Sequence, residues 1–201
     1  MGRPRRTTVP LDLRFPIWER IFLIAPLVLV GTREADGHYD LAPKHMAMPV
    51  SWENHFGFVC APTHATYVNA IREREFTVSY PGQDQLVAAS LTAAPRCDDG
   101  TKPNVRLLPL EPGSVVAAPL VGGASLQLEC RLERTVDGLG RNSLVIGHVV
   151  AARADPAALR SAERDDADVL RESPLLAYLH PGRFAMVGES ISFPMPADMR
   201  K

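Results

Sequence analysis

Two segments of the chain bring together residue types with chemical potential. The first is Cys60-Ala61-Pro62-Thr63-His64-Ala65-Thr66-Tyr67-Val68-Asn69-Ala70-Ile71. Its Thr63, Thr66 and Asn69 recur at three-residue spacing across a predicted strand-to-helix turn, where unpaired backbone N–H groups and the helix dipole favour an anion such as phosphate. Ordinary helix capping accounts equally well for the same threonines, so spacing alone leaves both readings open. The second segment is Asp40-Leu41-Ala42-Pro43-Lys44-His45-Met46-Ala47-Met48-Pro49-Val50-Ser51-Trp52. Lys44 supplies a cation there, and His45 is either a proton-handling imidazole or a plain polar loop residue.

The elements that must position these segments follow from periodicity. Residues 27–32 are rich in β-branched side chains and precede Glu34-Ala35-Asp36-Gly37-His38, whose Asp-Gly pair predicts a hairpin returning over 39–42. Residues 56–60 predict a strand ended by Pro62. Residues 63–74 predict a helix with Thr63 as N-cap and Tyr67, Ala70, Ile71 and Arg74 on one face. FTVSY at 76–80 is a strand closed by Pro81-Gly82, residues 83–93 a second helix, and 95–103 an exposed loop.

The clearest β signal lies later. Leu126, Leu128, Cys130 and Leu132 alternate with Gln127, Glu129, Arg131 and Glu133, then Asp137-Gly138 predicts a turn and 143–152 a returning strand. One apolar and one polar face predict the wall of an antiparallel barrel or sheet. Residues 155–172 read as a short helix and linker with Asp165, Asp166 and Asp168 in solvent, ahead of the tail Tyr178-Leu179-His180-Pro181-Gly182-Arg183-Phe184. Residues 1–14, with four Arg and two Pro, predict a flexible arm, leaving 15–201 as a single domain.

Composition excludes several classes. Twenty-two Lys and Arg against 23 Asp and Glu give a net charge of −1, which provides no field to gather nucleic acid or anionic membrane. Cys60, Cys97 and Cys130 form no CxxC pair and read as free thiols of a reducing, cytoplasmic compartment. The basic start and the apolar run 21–30 imitate an export signal, but Asp12, Arg14, Glu19, Arg20 and Pro26 interrupt that pattern. The run is also half the ~20 residues a helix needs to cross a bilayer. GxGxxG, GxxxxGK[ST], HExxH and GxSxG motifs are all missing, which disfavours a Rossmann site, a P-loop, a zincin and a serine hydrolase. His38, His55 and His148 lack metal-ligand spacing. Trp52 and Phe56 are expected in the core, with a nicotinamide wall as the alternative.

In their order and spacing these pieces resemble the flavin-reductase-like family of FMN-binding split-barrel proteins. Asp40-Leu41-Ala42-Pro43-Lys44-His45 is similar to the family's Asn-x-Ala-Pro-x-Ser loop, His64-Ala65-Thr66-Tyr67-Val68-Asn69 to its Arg-Asp-Thr-x-x-Asn helix start, and Phe76-Thr77-Val78-Ser79 to its following strand. Ala118-Pro119-Leu120, Glu129-Cys130-Arg131-Leu132 and Ile146-Gly147-His148-Val149 resemble the late hairpin, so the likeness runs over roughly residues 25–153 and faintly through Gly182-Arg183-Phe184. The departures are Asp40 and His45 for the loop Asn and Ser, and His64-Ala65 for Arg-Asp; Lys44, His64 or Arg183 would have to replace the lost cation.

The resemblance implies a mainly β antiparallel split barrel with a few short helices. Ala42, Pro43, Lys44, His45 and Met46 would run along the flavin ring, Cys60, Ala61, Pro62 and Thr63 under its other side, and Thr66 and Asn69 would hold the phosphate. Ser79 and Arg183 are further candidate contacts, and His45 and His180 candidate participants in hydride transfer. Tyr178, His180 and Phe184 would cap the flavin, cover a subunit interface or simply pack. The implied protein is a homodimer, because a half-open barrel protects its edges against a copy of itself. The implied activity is reduction of FMN by NADH or NADPH, with electrons passing to oxygen, ferric iron or a partner monooxygenase. The alternatives are an FMN-binding electron carrier or sensor, a split-barrel binding module without catalysis, and F420 or haem in place of FMN.

Overall fold

The computed structural model of the protein describes residues 7–192. Of the predicted arm, residues 1–6 lie outside the described residues and 7–14 are exposed throughout. The apolar run 21–30 is divided between two sheets. β1 (Ile24–Pro26) joins one sheet and β2 (Val28–Arg33) another, so residues 21–24 of the run are exposed and 27–30 buried. β2 pairs with β3 (Tyr39–Lys44) as the Asp-Gly turn predicts, Gly37 taking a φ of 87°. β4 (Ala47–Pro49) and β5 (His55–Cys60) follow, then α1 (Ala65–Glu73), β6 (Glu75–Tyr80) and α2 (Leu86–Leu91). The second half of the chain supplies β7 (Leu110–Pro112), β8 (Pro119–Val121), β9 (Leu126–Leu139), β10 (Asn142–Ala154), α3 (Asp166–Glu172), β11 (Leu175–Leu179) and β12 (Arg183–Val187).

The main sheet is antiparallel, ordered β3-β2-β6-β9-β10-β5-β4, and curls into a half-barrel. Its edges, β3 and β4, are joined through His45 and Met46 but are not neighbours in the sheet, so the barrel is split where that connection crosses. Inside lie Val28, Val30, Phe56, Phe58, Phe76, Val78 and Val145, with Ala70, Tyr67 and Ile71 of α1 closing one end. The opposite face of β2 buries Leu29 against Leu41, Ala89, Val105, Leu108 and Val121. Burial on both faces explains why Leu27-Val28-Leu29-Val30 is continuous rather than alternating. The sheet β1-β11-β12 packs Leu176, Tyr178 and Phe184 onto this outer cluster, and β7-β8 forms a third, two-stranded sheet. Gly31 lets β8 approach: a Cβ there would collide with Pro119 O and Thr77 Oγ1. Among the described residues no helix is long and apolar enough to cross a membrane.

Three local expectations are corrected, those for the α1 cap, the β9–β10 turn and Trp52. The residue before α1 is His64, with no side-chain cap bond, so Thr63 is not the N-cap. The β9–β10 turn falls at Gly140-Arg141, two residues past the Asp137-Gly138 pair, because Gly138 at φ 82° is absorbed within β9 and pairing resumes at Leu139 and Asn142. The polar face of β9 is not all solvated. Gln127 bonds Val121 O at 2.7 Å, and Glu129, 2% exposed, accepts from Ser114 N, Ser114 Oγ, Val115 N and Val116 N at 2.6–3.0 Å. Phe56 is in the core as expected, whereas Trp52 is 83% exposed.

Candidate functional site

The two chemically promising segments meet at the split. A groove of about 420 Å³ is lined on one side by Asp40, Ala42, Pro43 and Lys44 of β3 and on another by Thr63, His64, Ala65 and Thr66 at the start of α1. Its third wall is Thr92 to Arg96 together with Lys102. Tyr67 N and Val68 N bond back to His64 O, which leaves the N–H groups of Ala65 and Thr66 without intrahelical acceptors at the positive end of the helix. Three cations, Lys44, Arg96 and Lys102, line the groove against one carboxylate, Asp40. Such a concavity accepts an anion through backbone donors and charge together.

Arg96 and Lys102 escaped sequence reasoning because they sit in the 95–103 stretch, which composition reads as an exposed loop. The loop is exposed at 95–101 and at 103, as expected, but its Arg96 and Lys102 side chains reach back to β3. Lys102 Nζ donates to Asp40 Oδ1 at 3.0 Å and to Leu41 O at 2.6 Å, and its side chain is only 12% exposed. Arg96 pairs with Asp40 at 3.2 Å and with Glu34. Buried Asp40 was the available signal, since a carboxylate out of water requires cationic company.

At the other end of the β3–β4 connection, His45 lies against the tail hairpin. Its ring centroid is 4.6 Å from Tyr178 and 5.8 Å from His180, with the two imidazoles stacked at 24°. Tyr178 Oη accepts from Gly182 N at 3.1 Å and lies 3.3 Å from His180 Nδ1. Burial first, then the positive fields of His180 and Lys44, hold the His45 imidazole below its ordinary pKa, so it stays neutral further into the acid range than a free histidine.

Of the residues singled out from sequence, Ala42, Pro43, Lys44, Thr63 and Thr66 share the groove, and His45 and His180 share the aromatic cluster next to it. Met46 is half exposed and its carbonyl accepts from Val59 N at 2.8 Å. Cys60 is buried at the end of β5 with Sγ 4.0 Å from His64 Nδ1, and Ala61 and Pro62 continue from it to the groove. Three residues stand apart. Asn69 is buried, donating to Thr32 Oγ1 at 3.2 Å and accepting from Arg72 at 2.9 Å. Ser79 is beneath β8, its hydroxyl accepting from Val121 N at 3.0 Å. Arg183 opens β12 opposite Leu179, exposed.

A curled antiparallel half-barrel with a groove at its split defines a split-barrel protein. The chain belongs to the flavin reductase like domain family, whose model matches residues 21–183. Solved structures share the fold. Nitrilotriacetate monooxygenase component B from Bacillus cereus superposes with a TM-score of 0.79 at 20% identity, covering 94% of this chain and 100% of that one. Flavoredoxin from Methanosarcina acetivorans gives 0.77 at 17% over 96% and 98%, and an FMN-binding protein from Thermus thermophilus, solved with p-hydroxybenzaldehyde, 0.71 at 19% over 96% and 100%. Among curated proteins, 2-succinyl-5-enolpyruvyl-6-hydroxy-3-cyclohexene-1-carboxylate synthase of Synechococcus sp. (strain CC9605) is 35% identical over 112 residues, 54% of this chain. The match spans only 20% of that protein's length.

Proposed function

We propose that residues 15–201 act as one FMN-binding domain of a homodimeric, cytoplasmic NAD(P)H:flavin oxidoreductase. The observation that carries this reading is the groove at the split, where the N–H groups of Ala65 and Thr66, without intrahelical acceptors, share one slot with Lys44, which has no ion pair among the described residues. FMN fits this donor set. Its phosphate suits the helix start and Lys44, and its flat ring suits the backbone from Ala42 to Met46 with Cys60 to Thr63 opposite. Bound FMN would supply the hydride chemistry, and the protein position and electrostatics.

In this reading Ala65, Thr66 and Lys44 hold the phosphate. Asn69 stiffens the floor by tying α1 to Thr32, and Ser79 supports the strand behind by holding β8. His45, kept neutral, is able to hold or release a proton at its imidazole beside the reacting ring, while Tyr178 and His180 fix its orientation. Arg183, on the same hairpin as His180, is a candidate for the nicotinamide nucleotide's phosphates. The dimer is supported by a long exposed apolar stretch: Leu13 is 82% exposed, Phe15 61%, Trp18 58%, Phe22 62% and Ile24 79%. The free thiols suit a reducing compartment.

The likeness to a monooxygenase component B favours delivery of reduced flavin to a monooxygenase. The likeness to flavoredoxins keeps a second reading, an FMN electron carrier that does not consume nicotinamide nucleotides. Anaerobic addition of NADH, then NADPH, to protein mixed with FMN separates the two: bleaching of the flavin bands with either nucleotide supports the reductase, and unbleached but protein-bound flavin supports the carrier.

A further inference from the structure

We infer that Asp40 is an internal counter-anion that competes with the ligand's phosphate for Lys102 and Arg96, and so keeps flavin exchangeable rather than tightly held. The inference rests on reading the groove as the FMN phosphate site.

The Asp40 side chain is 2% exposed and fully engaged. Oδ1 takes Lys102 Nζ at 3.0 Å and the Arg96 guanidinium at 3.2 Å, and Oδ2 accepts from Thr66 Oγ1 at 3.4 Å. Arg96 is further committed to Glu34 and, through its other nitrogen, to Gly100 O at 3.0 Å. Two of the three cations lining the groove are therefore already matched to carboxylates, and Lys44 has no ion pair among the described residues. Thr66 is shared as well: its hydroxyl serves Asp40, while its N–H belongs to the helix start that faces an incoming anion.

A phosphate entering this slot brings about two negative charges within a few ångströms of a carboxylate that cannot move into solvent. It must either draw Lys102 and Arg96 away from Asp40 or rely on Lys44 and the helix start. Either way its binding is weaker than three cations would allow. The effect acts on the phosphate and not on the ring, which sets it apart from a structural role for Asp40.

The test compares equilibrium binding of FMN and of riboflavin, which lacks the phosphate, at one fixed salt concentration. Asp40→Asn is expected to tighten FMN by roughly tenfold or more and to leave riboflavin unchanged. FMN binding that is weakened or unchanged in this variant, with riboflavin still bound, would overturn the inference and make Asp40 a scaffold for the cations. Glu34→Gln leaves Asp40 in place but removes one of the two carboxylates that Arg96 serves, so Arg96 has more charge to offer the phosphate, and it decides the matter if Asp40→Asn does not fold. It is expected to tighten FMN by a smaller factor, and no tightening overturns the inference. Wild-type protein that binds neither flavin would overturn the reading of the groove itself, an outcome distinct from both.

Discussion

Replacing Glu129 by Gln tests whether a buried carboxylate, rather than packing alone, holds the 113–118 segment against the barrel. Burial penalises the charged form of Glu129, but the hydrogen bonds from Ser114 Oγ and from the N–H groups of Ser114, Val115 and Val116 outweigh it and bring its pKa from 4.5 down to about 2. The difference of about 2.5 units corresponds to about 3 kcal/mol of folding stability at neutral pH. Because the folded pKa lies below the unfolded one, that contribution is whole above pH about 5 and is lost as pH falls towards 2. Gln cannot titrate and turns an NH₂ towards the loop's donors, so Glu129→Gln is expected to lose about 3 kcal/mol at pH 7. Urea unfolding of both proteins at several pH values is the assay. The gap between them should narrow steadily below about pH 5. A gap under about 1 kcal/mol at pH 7, or one that ignores pH, would refute the reasoning.

The remaining predictions concern the core and the groove. Phe58 is fully buried and meets Phe76 edge-on with centroids 5.1 Å apart, so Phe58→Ala should cost about 3–5 kcal/mol by chemical denaturation. Lys44→Ala should weaken FMN binding about tenfold and leave riboflavin unaffected, measured by quenching of flavin fluorescence. Since the folded pKa of His45 lies below the ordinary 6.5, its contribution to stability is complete above that value and is lost as pH drops below it. The difference in unfolding free energy between wild type and His45→Gln should therefore shrink as the solution is acidified.

Much of the fold was legible because local signals agreed with one another. Asp36-Gly37 set the β2–β3 hairpin and strict alternation marked the inner face of β9, both through interactions between near neighbours in sequence. What escaped was long-range. Nothing near Glu129 announces that residues 114–116 will fold over it, so alternation marked its face as polar without showing that Glu129 is buried there. The same cause hid Arg96 and Lys102, whose partner Asp40 lies 62 residues away from Lys102. The resemblance located the groove through Ala42-Pro43-Lys44 and Thr63 to Thr66, but the cations opposite them come from a stretch with no motif. Thr63 failed as a cap because the chain remains extended through His64, one residue further than the hydroxyl suggested.

Flavin binding at the split is the centre of the account, and titration of FMN into the purified protein, followed by visible absorption and fluorescence, tests it most directly. Saturable binding that shifts the flavin bands, and that is tighter for FMN than for riboflavin, is the predicted result. Flavin bands that stay unperturbed at every protein concentration would contradict it.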